Sequence, residues 1–258
     1  MAREHPPHIS ILGLGPVGAA LGSALAAVRT DYRLVGHDRA PERVRAALAA
    51  GAIDDGRWNL VAAVEDADLV VVTEPLGQAV ETVAQIAAHV RPGSLVTDTV
   101  PAMRPMLRAA VALPPGVAYV SGHPILGGGL AERNADTEGG GPPASPFAGV
   151  VYCVVPAPGA DAGAVRVLVD LIAAIGAEPY FIDADEHDAL VAAVDQLPQL
   201  AGAALARALG FSPSSDDLAR LVPRNLWASW LAGGRDGADA AAAALAGRDA
   251  VLAWLDAL

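Results

Sequence analysis

The chain has 258 residues, room for one large domain or one domain and a smaller companion at roughly 150 residues each, and enough to bury a core without staples. Its 17 basic residues, every one an Arg, face 29 acids for a net charge of −12. That balance argues against nucleic acid or an anionic membrane as partner, and the lack of Lys excludes Schiff-base and P-loop lysine chemistry. A single cysteine (Cys153), no run approaching about 18 apolar residues and no signal-peptide order over Met1–Ser10 predict a soluble, cytoplasmic protein without an intrachain disulfide.

In chain order, strands are expected at His8–Leu12, Tyr32–His37, Leu69–Thr73, Leu95–Asp98, Ala118–Ser121, Val150–Val155 and Pro179–Ile182. Helices are expected between them at Val17–Val28, Pro41–Ala50, Gly77–Val90, Pro101–Val111 and Ala162–Ile175. The alternation predicts βαβ units and a mostly parallel sheet. The stretch 126–148, with Gly at 127–129 and 139–141 and Pro142, Pro143 and Pro146, breaks the rhythm as a long loop. Past Asp183 the pattern is helical alone. Leu190, Val191, Val194, Leu197, Leu200 and Ala201 recur near the helical period, Pro198 marks a kink or break, and helical stretches follow at Asp216–Ala232 and Ala238–Leu258. Two domains are expected, 1–183 and 184–258.

Gly13-Leu14-Gly15-Pro16-Val17-Gly18 sits where the first strand turns into the first helix. Glycines at this spacing allow a tight turn, approach of backbone to a pyrophosphate, and close helix–strand packing, with the helix N-terminus facing the phosphates. Asp38 ends the second strand, where a carboxylate accepts hydrogen bonds from ribose hydroxyls and repels a 2′-phosphate. The first domain therefore reads as a Rossmann-type, doubly wound α/β domain that prefers NAD to NADP, although Arg39 beside Asp38 offers a phosphate partner.

Histidine is the side chain best suited to proton transfer near neutral pH. Of the six, His123 stands apart: Ser121-Gly122-His123-Pro124 lies where a strand ends and the glycine-rich loop begins, the end at which ligands bind in open α/β sheets. Asp185-Glu186-His187-Asp188 reads as helix capping and dipole complementation. No metal-ligand spacing and no GxSxG elbow is present.

Several segments together resemble the prephenate dehydrogenase family and its arogenate-using relatives: GLGPVG at 13–18, Asp38, ADLVVVTEP at 67–75, TDT at 97–99, GHPILGG at 122–128, FAGVVYCVVP at 147–156 and DADEHDALVAAVDQLPQLAGAAL at 183–205. The resemblance implies a Rossmann-type domain followed by a smaller, all-helical domain that builds a homodimer. It also implies oxidative decarboxylation with hydride passing to NAD, and His123 as the catalytic proton acceptor. Cofactor contacts would come from Gly13, Leu14, Gly15, Pro16, Val17, Gly18, Asp38, Arg39, Thr73, Glu74, Pro75 and Asp98. Substrate contacts would come from Asp195, Gln196 and Gln199, and from Arg220 or Arg224. The apolar helical faces with Trp227, Trp230 and Trp254 are expected to be buried in the dimer.

The chain also departs from the family pattern. Pro101 and Met103 stand where the family carries Ser and Lys. Gly129 stands where many members place Glu, with Glu132 nearby, and Asp195-Gln196-Leu197-Pro198-Gln199 replaces SHLPH. The nucleotide half is intact and the substrate half is rewritten. An acid at 195 facing a pocket would repel a dicarboxylate and favour a substrate with a cationic or neutral group. Two other readings stay open: a dehydrogenase or reductase of another small acid, imine or ketone, and a nucleotide-binding pseudoenzyme.

Overall fold

Runs of branched apolar residues lie side by side as one eight-stranded sheet: β1 (His8–Leu12), β2 (Arg33–His37), β3 (Asp55–Gly56), β4 (Leu69–Val72), β5 (Leu95–Asp98), β6 (Ala118–Pro124), β7 (Val151–Pro156) and β8 (Glu178–Phe181). Their order is β3-β2-β1-β4-β5-β6-β7-β8, and every neighbouring pair is parallel except β6 with β7. All four residues of β4 are buried, as a strand covered by helices on both faces requires. The computed structural model describes residues 6–29, 31–126, 145–210, 217, 220 and 244–256. The chain divides into two compact units, Met1–Asp183 and Ala184–Leu258.

Helices α1 (Pro16–Val28), α2 (Pro41–Ala49), α3 (Leu60–Val64), α4 (Leu76–Ile86), α5 (Met103–Ala110) and α6 (Ala162–Ala174) connect the strands. Pro at the first helical position opens α1 and α2. Asn59 caps α3 by accepting from the Val61 N–H at 2.8 Å, and Asp161 caps α6 by accepting from the Ala164 N–H at 3.1 Å. α1 buries Gly18, Leu21, Gly22, Ala24 and Leu25 as one stripe. A Cβ on Gly22 would stand 2.6 Å from the Ala52 carbonyl, so this glycine sets how closely the helix lies. Leu21 and Leu25 join Ile9, Ile11, Leu34 and Val71 in the core.

Three findings differ from the sequence reading. β6 extends past Ser121 to Pro124, because β7 returns antiparallel beside it and pairs His123 with Cys153 and Pro124 with Tyr152; His123 is thus on the last rungs of a ladder. The two-residue β3 and five-residue α3 are too short to leave a periodic signal. In the second unit α7 (Ala184–Val191) passes through a π-helical turn (Ala192–Gln196) into α8 (Leu197–Gly210). Pro198 has no N–H for the carbonyl four residues back and its ring crowds that carbonyl; a widened turn just ahead of it absorbs both without breaking the helix.

Helix α9 (Arg248–Asp256) completes the described part of this unit. Trp254, expected to be buried in a dimer, is 43 % exposed in the single chain, and its indole N–H donates to the Ala189 carbonyl at 3.2 Å. Trp227, Trp230, Arg224 and residues 127–144 of the loop lie outside the described residues. The end of that loop turns inward, with Phe147 fully buried.

Candidate active site

The strand order reverses direction between β1 and β4, and the crevice outside their carboxyl ends is the topological switch point where ligands bind in open α/β sheets. The glycine-rich turn leaves β1 at this point. Gly13 has φ +93°, a left-handed conformation that costs a side chain dearly. Its N–H donates to the His37 carbonyl at 2.8 Å, and the Thr73 hydroxyl donates to its carbonyl. A Cβ on Gly18 would stand 2.0 Å from the Gly13 carbonyl oxygen and 2.4 Å from Thr73 Oγ1, so Gly18 is required for the turn to close on its own helix. Gly15 is different: a Cβ there meets no atom within 4 Å. The protein's own packing does not ask for glycine at this position, whereas a ligand pressed against the backbone would. Gly15 is also the N-cap of α1 and provides no side-chain cap, so the first N–H groups of the helix face the crevice without a cap from it.

Asp38 stands at the end of β2, 9 % exposed. Its carboxylate accepts the Leu14 N–H at 2.7 Å and the Ala40 N–H at 2.8 Å, which locks the glycine-rich turn against the end of β2. Arg43, on the first turn of α2, lies 3.5 Å from Asp38; sequence reading missed it. Arg39 and Pro16 are exposed and Val17 is half-buried. Past β4, Thr73 is half-buried and Pro75 exposed. Glu74 is buried at 7 %, with its carboxylate accepting from the Thr82 hydroxyl of α4.

At the far side of the same strand edge, His123 is half-buried near the end of β6. Period-two alternation puts Tyr119, Ser121 and His123 on one face of that strand. Asp98, at the end of β5, was expected among the cofactor contacts. Its side chain is fully buried, with oxygens taken by the Tyr119 hydroxyl, the Ser121 hydroxyl at 2.9 Å, the Val100 N–H at 2.9 Å and the Gly122 N–H. Burial outweighs these donors and pushes its carboxyl from 3.8 up to about 6. Tyr152 of β7 is also fully enclosed, and burial together with the nearby Asp98 charge raises its phenol far above the usual range. A Cβ on Gly122 would stand 2.7 Å from the Tyr152 ring and 3.0 Å from the Asp98 carbonyl oxygen, so the glycine before His123 is demanded by packing. Cys153, opposite His123, is free and buried, and burial raises its thiol.

The residues expected to meet the substrate are in the second unit. Asp195 is exposed and accepts from the Gln199 amide at 2.7 Å. Gln196 is 5 % exposed, in the π-helical turn, and Arg220 is exposed. Asp185 and Glu186 occupy the first turn of α7, while His187 and Asp188 form a buried pair at 2.9 Å that sequence reading did not anticipate. Among the described residues no group of three or more His, Cys, Asp or Glu is arranged to hold a metal ion, and no helix is long and apolar enough to cross a membrane.

Sheet order and turn geometry define the class, a Rossmann-type α/β domain followed by helices. A sequence profile described as "Prephenate dehydrogenase, nucleotide-binding domain" matches residues 21–180. The chain is 27 % identical over 199 residues to a prephenate dehydrogenase of Bacillus subtilis, spanning 76 % of this chain and 52 % of that protein. It is 31 % identical over 197 residues to the probable prephenate dehydrogenase NovF of Streptomyces niveus, spanning 74 % and 49 %. The chain thus spans about half the length of these curated relatives. Its fold is similar to the crystal structure of prephenate dehydrogenase from A. aeolicus in complex with hydroxyphenyl propionate and NAD+, with TM-score 0.82, 19 % identity, and coverage of 100 % of this chain and 88 % of that one. Synechocystis arogenate dehydrogenase follows with TM-score 0.70, 21 % identity, and coverage of 96 % and 87 %. The chain belongs to the prephenate dehydrogenase family.

Proposed function

We propose that this protein is an NAD-dependent dehydrogenase that oxidatively decarboxylates a prephenate-like cyclohexadienol, with His123 as proton acceptor. The observation that carries the reading is Gly15: open space stands where its side chain would be, on the turn that Asp38 and Thr73 hold rigid, at the strand edge where β6 also ends. The residues fit a dinucleotide. The N–H groups at the start of α1 would hold its pyrophosphate and Asp38 its adenosine ribose. β6 lies three strand spacings from β1, about 14 Å.

Bound there, the dinucleotide supplies the hydride acceptor. The imidazole of His123 takes the proton of the substrate hydroxyl as the carbon bearing it becomes a carbonyl. The carboxylate on the opposite ring carbon leaves as carbon dioxide, its bonding pair enters the ring as the ring becomes aromatic, and the phenolic oxygen recovers the proton from His123. The balance is one hydride transferred and one carbon dioxide released, with no net proton.

The helical unit is assigned the substrate contacts and the contact between two copies of the chain. Supporting the second role, it exposes Leu190, Val194, Leu205, Leu245, Trp254 and Leu255. The cytoplasm is the assigned compartment, supported by Cys153 being free and buried. The test follows the absorbance of reduced nicotinamide with prephenate, arogenate and their 4-amino analogue, each with NAD and with NADP. Turnover of one of the three with NAD preferred is expected; no turnover with any of them contradicts the reading.

A further inference from the structure

The polar cluster beneath the end of β6 has no part in the reaction as written, yet it is among the most enclosed groups in the protein. Asp98, Ser121 and Tyr119 are 0 %, 0 % and 4 % exposed. A carboxylate is costly to bury unless donors surround it, and this one gathers two hydroxyls and two backbone N–H groups. Two of its four donors, the Ser121 hydroxyl at 2.9 Å and the Gly122 N–H, belong to the residues directly before His123. The register places Asp98 next to Ser121 across β5 and β6, one step past the Thr97–Val120 pair. Strand alternation then puts His123 on the same face, about 7 Å further along. On the opposite side Tyr152 packs against Gly122 and closes the strand between ring and carboxylate.

We propose that Asp98 is a positioning residue for His123: its buried carboxylate, holding Ser121 and Gly122, fixes the end of β6 and with it the imidazole at the strand edge. The inference rests on His123 as the proton acceptor for its catalytic consequence, but not for the positioning itself. Asp98 acts through the chain that carries the reacting group, and Tyr119, which donates from the same face of β6, is its anchor further back.

The experiment compares Asp98→Asn with Ser121→Ala, which removes a single donor and leaves the carboxylate. Long-range proton–nitrogen spectra report the His123 ring directly, with the His187 ring as internal reference, while calorimetry gives NAD affinity and steady-state kinetics separates kcat from KM. Misplacement of a reacting group by about 1 Å costs up to about a hundredfold. Asp98→Asn is therefore expected to lower kcat about ten- to a hundredfold, to shift or split the His123 signals, and to leave KM, NAD affinity and the His187 signals unchanged. Ser121→Ala is expected to do the same to a smaller degree, which serves if Asp98→Asn does not fold. Unmoved His123 signals and full kcat in folded variants overturn the proposal. Shifted His123 signals with full kcat uphold the positioning and instead contradict His123 as proton acceptor.

Discussion

Two glycines of one turn carry different duties, and substitution separates them. An Ala at Gly18 drives its Cβ to 2.0 Å from a backbone carbonyl, which cannot be relieved by turning a side chain. An Ala at Gly15 meets nothing and costs only the difference between two N-cap residues, at most about 1 kcal/mol. Gly18→Ala is therefore expected to lower the melting temperature by several degrees, since about 1 kcal/mol corresponds to 2–4 °C for a protein of this size, and to abolish NAD binding with it. Gly15→Ala should melt close to the native protein and still bind NAD at least about tenfold more weakly. Equal NAD affinity in Gly15→Ala, measured by calorimetry, would remove the pyrophosphate from this turn. The spacing of the glycines was legible in the sequence. Which of them serves packing and which leaves room for a ligand was not, because that depends on the Thr73 and Gly13 atoms that β4 and β1 bring together.

At the scale of elements, β5 and β6 are joined by a buried carboxylate whose titration is a property of the pair of strands. The folded carboxyl of Asp98 is raised from 3.8 to about 6, so the folded state holds a proton in the window between those values that the unfolded chain releases. Stability contributed by this group is greatest below that window and is lost as pH rises through it. A shift of this size corresponds to about 3 kcal/mol across the full window. Between about pH 5.5 and about pH 7.5 the unfolding free energy of Asp98→Asn should gain about 1 kcal/mol relative to the native protein. Denaturant titrations at the two pH values check it, and a constant difference would mean that Asp98 titrates normally.

Most strands were readable because apolar runs between turn residues are a local signal; β1 and β5 match their expected bounds residue for residue. The antiparallel return of β7, which lengthens β6 to include His123, is a long-range pairing and left no mark in the local pattern. Tyr119 and Ser121 were legible only in part: period-two spacing groups them with His123, but nothing local says that Asp98 of another strand meets them. The π-helical turn ahead of Pro198 was visible as a disturbance and not as a shape, since Pro removes a hydrogen bond without dictating how the helix makes up for it.

For the whole molecule, a net charge of −12 opposes any anionic ligand at long range, so recognition must rest on backbone N–H groups and a few Arg. The same charge keeps copies apart, and association has to come from apolar surface. The helical unit is the proposed source: among its described residues Val194 is 67 % and Leu245 73 % exposed, apolar surface of the kind that marks an interface. A homodimer through this unit is expected by light scattering at micromolar concentration, and charged replacements at Val194 and Leu245 should shift it to monomer. A native protein that is monomeric at that concentration would contradict the assignment.

One strand edge is proposed to bind NAD at β1 and to present a proton acceptor at β6. His123→Asn separates the two roles, because the amide keeps a hydrogen-bonding group of similar reach while giving up the titrating site. Positioned general-base catalysis contributes about 10²–10⁴-fold, so the rate of reduced-nicotinamide formation at saturating substrate should fall by that factor with NAD affinity and melting temperature unchanged. A folded His123→Asn protein that turns over at the native rate would mean that the proton acceptor is not His123.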